Sequence, residues 1–245
     1  MNILSQVFTA LPRQGPGSTA DTLNALSRVR DGFGPIENIL DVGCGCGAQT
    51  MALLRNTTAQ VTAVDLSASL LARLRTSAQA EGVNDRLTPV ECSMKDMPLA
   101  PNSFDLIWSE GAVYIMGFEA ALESFRTLLR PGGRVAISEM AWLVDPPPTA
   151  AAQWWEKEGA SVVHDREKRR CLERQGYRIL DTFLLSDTGW WDNYLTPMAE
   201  RIAELRRGQS DPDAIAVLDR IDGEIAIHRE YLGTYGYVFY IAELS

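Results

Sequence analysis

The sequence predicts one α/β domain built on a mostly parallel sheet. Three observations carry this. Short apolar runs alternate with helical segments between residues 36 and 140, the rhythm of right-handed βαβ units. Most of these runs are apolar throughout, as in strands covered on both faces. A glycine turn, Gly43 to Gly47, joins the first run directly to a helix. The length of 245 residues suits one large domain, and 46% hydrophobic and 22% charged residues suit an ordinary globular core.

Ser18 or Thr19 is placed to cap a helix reaching about Arg30, because Gly15, Pro16 and Gly17 before it break helical structure. Strands are expected at 36–42, 60–65, 87–92, 104–109 and 134–139. Helices follow the first, second and fourth, at 49–55, 67–82 and 118–129. Beyond Glu139 the texture changes. Asp145-Pro146-Pro147-Pro148 is a stiff connector, and helices are expected at 150–160, 165–175, 188–207 and 211–231. Tyr177 to Leu185 reads as a sixth strand and Gly236 to Leu244 as a seventh. The expected division is an N-terminal helix and lid (1–35), a binding core (36–140), a helical cap (141–176 and 187–235) and two last strands (177–186 and 236–245).

Charge narrows the partners. Twenty-three Lys and Arg face 32 Asp and Glu, a net charge of −9. Phosphate-backbone binding needs clustered cations, and the densest cluster, Arg166 to Arg174, mixes both signs at helical spacing like a solvated face. No nucleic-acid partner is expected. Cys44, Cys46, Cys92 and Cys171 match no zinc spacing, and only His164 and His228 could complete one. No metal is expected, and reduced thiols suit a cytoplasmic protein. No apolar run approaches a membrane span, and the N-terminus does not read as a signal peptide. Nothing fixes the oligomeric state, and a homodimer stays open.

The informative string is Asp41-Val42-Gly43-Cys44-Gly45-Cys46-Gly47. Glycines let a backbone turn sharply and lie against a ligand. Gly43, Gly45 and Ala48 also satisfy a loose dinucleotide pattern, so a nicotinamide or flavin enzyme is a competing reading. Asp41 favours S-adenosylmethionine instead, because a carboxylate there would repel a pyrophosphate but attract an amino group and a sulfonium. Asp65, ending the second strand, can accept two ribose hydroxyls, a device that both cofactors use. Cys44 and Cys46 stand too close on a tight turn for disulfide geometry.

The stretch 38–139 resembles a class I S-adenosylmethionine-dependent methyltransferase. ILDVGCGCG (39–47), VTAVDLS (61–67), MPLAPNSFDLIWS (97–109) and LLRPGGRVAIS (128–138) are similar to four motifs of that family, in the family's order. RQGPGS (13–18), WSEGA (108–112) and GYVFYI (236–241) resemble a set of uncharacterised bacterial small-molecule methyltransferases. The resemblance implies a Rossmann-like sheet of seven strands, mostly parallel, with an antiparallel C-terminal strand and a helical cap. It implies that Asp41, Gly43, Cys44, Gly45 and Gly47 wrap the methionine end, that Gln49 and Thr50 touch it, and that Asp65 holds the ribose with Leu66 beside the adenine. Ser93 and Met94 stand where the family often has an acidic adenine contact, and Asp96 comes too late for that role. The resemblance also implies that Ser109 and Glu110 border the sulfonium.

The expected reaction is transfer of a methyl group to a small-molecule acceptor by in-line displacement, which asks mainly for alignment and desolvation. Glu110 is the candidate general base, since it lies just past the fourth strand. Arg13, Tyr114, Trp142, Trp190, Trp191 and Tyr194 are the candidate acceptor-pocket residues. If such rings line the pocket, they suit a flat, apolar or cationic acceptor. Arg13 and the Gly-Pro-Gly after it are a candidate lid. Asp145-Pro146-Pro147 is rejected as an amino-methylation motif, because it lies far from the fourth strand and Pro148 replaces the aromatic residue. Two other readings share the cofactor motifs: a non-catalytic S-adenosylmethionine sensor, and a methyltransferase acting on RNA or protein.

Overall fold

The computed structural model describes residues 2–245. Eight strands form one sheet: β1 (Asn38–Val42), β2 (Gln60–Asp65), β3 (Leu87–Glu91), β4 (Phe104–Glu110), β5 (Leu129–Trp142), β6 (Val163–His164), β7 (Tyr177–Leu184) and β8 (Tyr235–Leu244). The order is β3-β2-β1-β4-β5-β8-β7, with β6 paired only to β5. β8 runs antiparallel to both neighbours, and the other pairings are parallel. The order reverses between β1 and β4, which opens a crevice at the carboxyl ends of these strands.

Two details depart from the expected seven strands. β6 is an eighth, two residues long. It pairs with Ala141 and Trp142, beyond the point where β4 stops pairing at Ser138. β5 outruns its expected span at both ends. Phe104 pairs with Leu129 across a register shift, and β8 holds β5 from Arg134 to Trp142. Neither extension has a local periodic signal, since both are templated by neighbouring strands.

The helices are α1 (Ile3–Phe8), α2 (Thr19–Arg30), α3 (Ala48–Asn56), α4 (Ala68–Ala80), α5 (Phe118–Leu128), α6 (Thr149–Lys157), α7 (Asp165–Arg174), α8 (Asp187–Trp190), α9 (Thr196–Arg206) and α10 (Pro212–Glu230). A π-helical turn, Trp191–Leu195, joins α8 to α9. Ser18 caps α2 by accepting from the Asp21 amide. On α5, the spacing of Ala121, Leu122, Phe125 and Leu128 makes one buried stripe. With α7 it covers one sheet face. Each fully buried side chain of Leu or Phe size there contributes about 1.5–3 kcal/mol. The opposite face is covered by α2, α3 and α4 and by the cap helices α8 to α10. Among the described residues no helix is long and apolar enough to cross a membrane.

Candidate functional site

A cleft lies over the reversal point, walled by the ends of β1, β2, β3 and β4 and by residues 13–16. Gly43, Cys44 and Gly45 form its floor. The Gly43 and Cys44 amides donate to Val64 O at 2.8 and 3.0 Å, which ties the turn to β2. Gly43 has φ 72°, and a Cβ there would overlap the Ala112 methyl. Gly47 has φ 89° and leads into α3, and a Cβ there would overlap Leu74 Cδ1 beneath the turn. Gly47→Ala is therefore expected to cost about 2–4 kcal/mol from overlap and left-handed strain together. A urea unfolding midpoint unchanged from the native protein would contradict this.

Asp65 reaches the cleft with an ordered carboxylate. Its Oδ2 accepts from the Gly45 amide and its Oδ1 from the Ser67 amide, both at 2.8 Å. A carboxylate offers about four lone-pair sites, so acceptor capacity remains for a diol. Leu66, 74% exposed, forms an apolar shelf beside it, and Ser93 and Met94 line the same side. Gln49 also lines the cleft, held by Asp41 Oδ1 and Cys44 O, both at 3.3 Å.

Four expected contact residues stand behind the wall. Asp41 is fully buried and accepts from Thr50 Oγ1 at 2.5 Å. Burial pushes its carboxyl up to about 7 against the opposing hydrogen bonds from Thr50 and Gln49. Asp41 is thus bonded to Gln49 and Thr50 behind the cleft wall, and neither Asp41 nor Thr50 lines the cleft. Ser109 donates to Val42 O at 2.8 Å and is fully buried, clamping β4 to β1. Gly47 serves the backbone turn. Cys44 is a neutral thiol, pushed up by burial, and all four cysteines are free.

Glu110 lines the cleft, but its carboxylate is committed elsewhere. Oε2 accepts from Arg13 Nη1 at 2.6 Å. Oε1 accepts from Thr22 Oγ1 at 2.7 Å and Trp108 Nε1 at 2.8 Å. Arg13 also donates to Thr22 Oγ1 at 3.1 Å. The expected base is therefore the buried half of a latch that holds the N-terminal segment against the sheet. Gln14 completes this strap. Its Oε1 accepts from the Cys46 amide at 2.9 Å, and its Nε2 donates to Phe8 O and Leu11 O. Gly17 N donates to Gly189 O at 3.0 Å, and Asp21 accepts from Ser186, so the strap is also fixed to the cap. The lid expected at Arg13 is a docked strap in this structure.

The candidate acceptor-pocket residues divide. Arg13 and Tyr114 line the cleft. Trp142, Trp190 and Tyr194 are buried in the cap core instead. Trp190 stacks on His228 at 4.0 Å and meets Tyr237 edge-on at 5.4 Å. Trp142 meets Tyr235 at 5.5 Å. Trp191 lies on the outer side, under Arg229. Sequence reasoning missed Gln14 and Thr22 as strap partners. Gln14 stands inside the RQGPGS string, which was the available signal, whereas nothing local marks Thr22. Among the described residues no three His, Cys, Asp or Glu side chains converge as metal ligands would.

Residues 39–133 match the family described as methyltransferase domain. An O-methyltransferase of Pyrenophora dematioidea is 30% identical over 65% of this chain and 60% of its own length. Methyltransferase GfsG of Streptomyces halstedii is 34% identical over 42% of this chain and 37% of its own. The chain thus spans between about a third and three fifths of the curated relatives it matches. Two solved structures share nearly its whole extent. One is an S-adenosylmethionine-dependent methyltransferase from Geobacter sulfurreducens bound to S-adenosylhomocysteine (TM-score 0.84, 21% identity, 99% of this chain and 98% of that one). The other is YjhP from E. coli (TM-score 0.85, 20% identity, 99% of each chain). At these identities the structural likeness speaks for the fold.

Proposed function

We propose, from a core whose residues 39–133 match the methyltransferase-domain family, that the chain is a class I S-adenosylmethionine-dependent methyltransferase and transfers a methyl group from S-adenosylmethionine to a small molecule. The observation that carries the reading is Asp65. An ordered carboxylate with spare acceptor capacity stands over a glycine turn at the sheet's reversal point. Asp65 receives the ribose hydroxyls, with Leu66, Ser93 and Met94 around the adenine. Gly43, Cys44, Gly45 and Gln49 hold the methionine end, while Asp41 and Thr50 support them from behind. The chain acts as one domain, with the core 36–140 serving the cofactor and the cap serving the acceptor.

When bound, the cofactor supplies a methyl carbon activated by a positive sulfur. The acceptor's lone pair forms the new bond while the carbon–sulfur pair stays on sulfur. The residues need only align the two and exclude water. The strap does the second, with Arg13 and Gln14 closing one side of the cleft. Glu110 anchors that strap. A net charge of −9 and an acceptor side roofed by helices favour a small molecule over RNA.

Calorimetric titration with S-adenosylmethionine and S-adenosylhomocysteine tests the reading, and micromolar binding of both is expected. Binding of NAD alone would replace it with an oxidoreductase. Turnover of a small-acceptor panel with labelled methyl separates catalysis from sensing.

Asp41 adds a pH dependence. A cationic ligand favours the ionised carboxylate, so binding releases the proton held by a group titrating near 7. Affinity for S-adenosylmethionine is expected to rise with pH up to that value, by at most tenfold per unit. S-adenosylhomocysteine, without the sulfonium charge, should show a shallower slope. Stability runs the other way. The raised value contributes stability at low pH that is lost as pH rises through about 7. Asp41→Asn should flatten both profiles, and a slope surviving it would assign the proton elsewhere.

A further inference from the structure

After β4 the chain makes one short helical turn, Val113–Ile115, between Gly111 and Gly117, both at positive φ. Val113 is fully buried and anchors the turn in the cluster on the sheet. Its two companions are not buried. Tyr114 is 61% exposed and Ile115 52%, and both line the cleft. Single exposed apolar side chains are ordinary, whereas adjacent ones on a concave wall mark a binding surface. Leu66 is exposed in the cleft too, but it stands beside Asp65 at the ribose end. The turn stands at the other end, because Ala112, two residues before Tyr114, packs over Gly43. Glu224 of α10 acts on the Tyr114 hydroxyl, so the cap borders the turn.

The charges at this end cancel. Arg13 is the one cation among the described residues that line the cleft, and Glu110 meets it at 2.6 Å. Its second amino group is held by Thr22. A carboxylate on the acceptor finds no free cation here. An ammonium finds no free acid, and the positive sulfur of the cofactor repels it.

Nothing at this end takes a proton either. Glu110 already accepts from three donors. Burial keeps Cys44 a neutral thiol. Cys92 stands at the ribose end, where its amide donates to Asp65 O, and burial and then Asp96 push its thiol up. Tyr114 keeps its proton at neutral pH. Desolvation raises its hydroxyl above the ordinary value, and Glu139 and Glu224 add to this, although those acids are themselves faced by Lys168 and Arg220. His164 meets Asp145 at 3.6 Å on β6, and His228 is buried against Trp190 in the cap. Neither histidine lines the cleft.

We propose that the acceptor is an uncharged apolar thiol, that Tyr114 and Ile115 hold its body, and that it ionises by its own acidity rather than by passing a proton to the protein. The inference rests on the methyltransferase reading above. An ordinary thiol ionises near about 8.5 and a phenol near about 10, while an aliphatic alcohol stays protonated far above both. A thiol therefore offers a useful fraction of anion at neutral pH without a base. A thiolate spreads its charge over a large soft atom and gives up hydration more readily than a carboxylate. The thiol releases its proton to water before it seats. The thiolate sulfur donates a lone pair to the methyl carbon as that carbon's bond to the cofactor sulfur breaks, and the electron pair of the broken bond stays on the cofactor sulfur. The products are a methyl thioether and S-adenosylhomocysteine, with one proton left in solvent.

The test uses the whole chain under reducing conditions. Benzyl mercaptan is titrated by calorimetry into protein saturated with S-adenosylhomocysteine. Replacing both Tyr114→Ala and Ile115→Ala should weaken its binding at least about tenfold. An equal loss of S-adenosylhomocysteine affinity would place the turn at the cofactor and overturn the assignment. Transfer of labelled methyl is then followed with S-adenosylmethionine saturating at every pH, so that the proton on Asp41 does not enter. Benzyl mercaptan is expected to be methylated, and benzyl alcohol and benzoate not. Its kcat/KM should rise about tenfold per pH unit and level off at the acceptor's own pKa, so that the more acidic thiophenol levels off at lower pH. A plateau at the same pH for both thiols assigns the proton to a residue and overturns the inference. A profile that moves in Tyr114→Phe assigns it to Tyr114, with the same consequence. Methylation of the alcohol ahead of the thiols, methylation of neither thiol, or thiol binding untouched by the double substitution also overturns it. Failure of S-adenosylhomocysteine to bind the native protein would instead strike the cofactor reading.

Discussion

Asp65→Ala is expected to lower affinity for S-adenosylmethionine by two to four orders of magnitude. Two hydrogen bonds from ribose hydroxyls to a carboxylate contribute about 1.5–3 kcal/mol each, and every 1.4 kcal/mol is about tenfold. The same carboxylate orders its own surroundings, accepting from the Gly45 and Ser67 amides at 2.8 Å. Removing it leaves those amides without this partner, which should cost a further ~1–3 kcal/mol of folding stability. The fold survives, because the strands that flank Asp65 are paired along their full length. Asp65→Asn keeps one acceptor oxygen and should fall between the two. Calorimetry on the folded variants is the check. Native-like binding by Asp65→Ala would remove the ribose assignment and, with it, the main support for the cofactor.

The second large effect belongs to the strap. Arg13→Ala leaves Glu110 buried with its charge partner gone, the situation in which breaking a buried pair costs about 3–5 kcal/mol. The two side chains are only 8% and 2% exposed. Lysine should not rescue the variant. Arg13 donates from Nη1 to Glu110 and from Nη2 to Thr22 at once, and an ammonium lacks that planar fork. Glu110→Gln should be similarly harmful, because it strands the guanidinium. The pair Arg13→Met with Glu110→Gln should recover part of the loss. Urea unfolding measures the stabilities, and limited proteolysis within residues 9–18 reports release of the strap. The general-base role expected from sequence makes the opposite forecast: Glu110→Gln would lose turnover while keeping its stability and its strap.

Much of the core is legible in the sequence because its signals are local. Glycines at 43, 45 and 47 are required by backbone geometry at those positions, and a carboxylate at the end of a strand is placed by the strand itself. Asp65 needed only its position after QVTAV to be read. Asp41 shows the limit of the same logic. Its place at the end of β1 was read correctly, but strand alternation and Thr50 turn its carboxylate behind the cleft rather than into it. Glu110 shows the limit more sharply. Whether a carboxylate faces substrate or serves a latch depends on Arg13 and Thr22, which are 97 and 88 residues away in the chain.

The cap is where sequence reading gave most ground. Its aromatic residues were visible, yet helical spacing cannot tell a ring that packs from a ring that lines a cavity. Trp142, Trp190 and Tyr194 pack, while Tyr114 lines the cleft. By itself the sequence determined the strand order's raw material, the glycine turn and the carboxylate over it, since each follows from the conformation of a few consecutive residues. The tertiary structure decided which carboxylates line the cleft, which are latched and which stand behind its wall, because charge in a folded chain is assigned by the partners that long-range contacts bring to it.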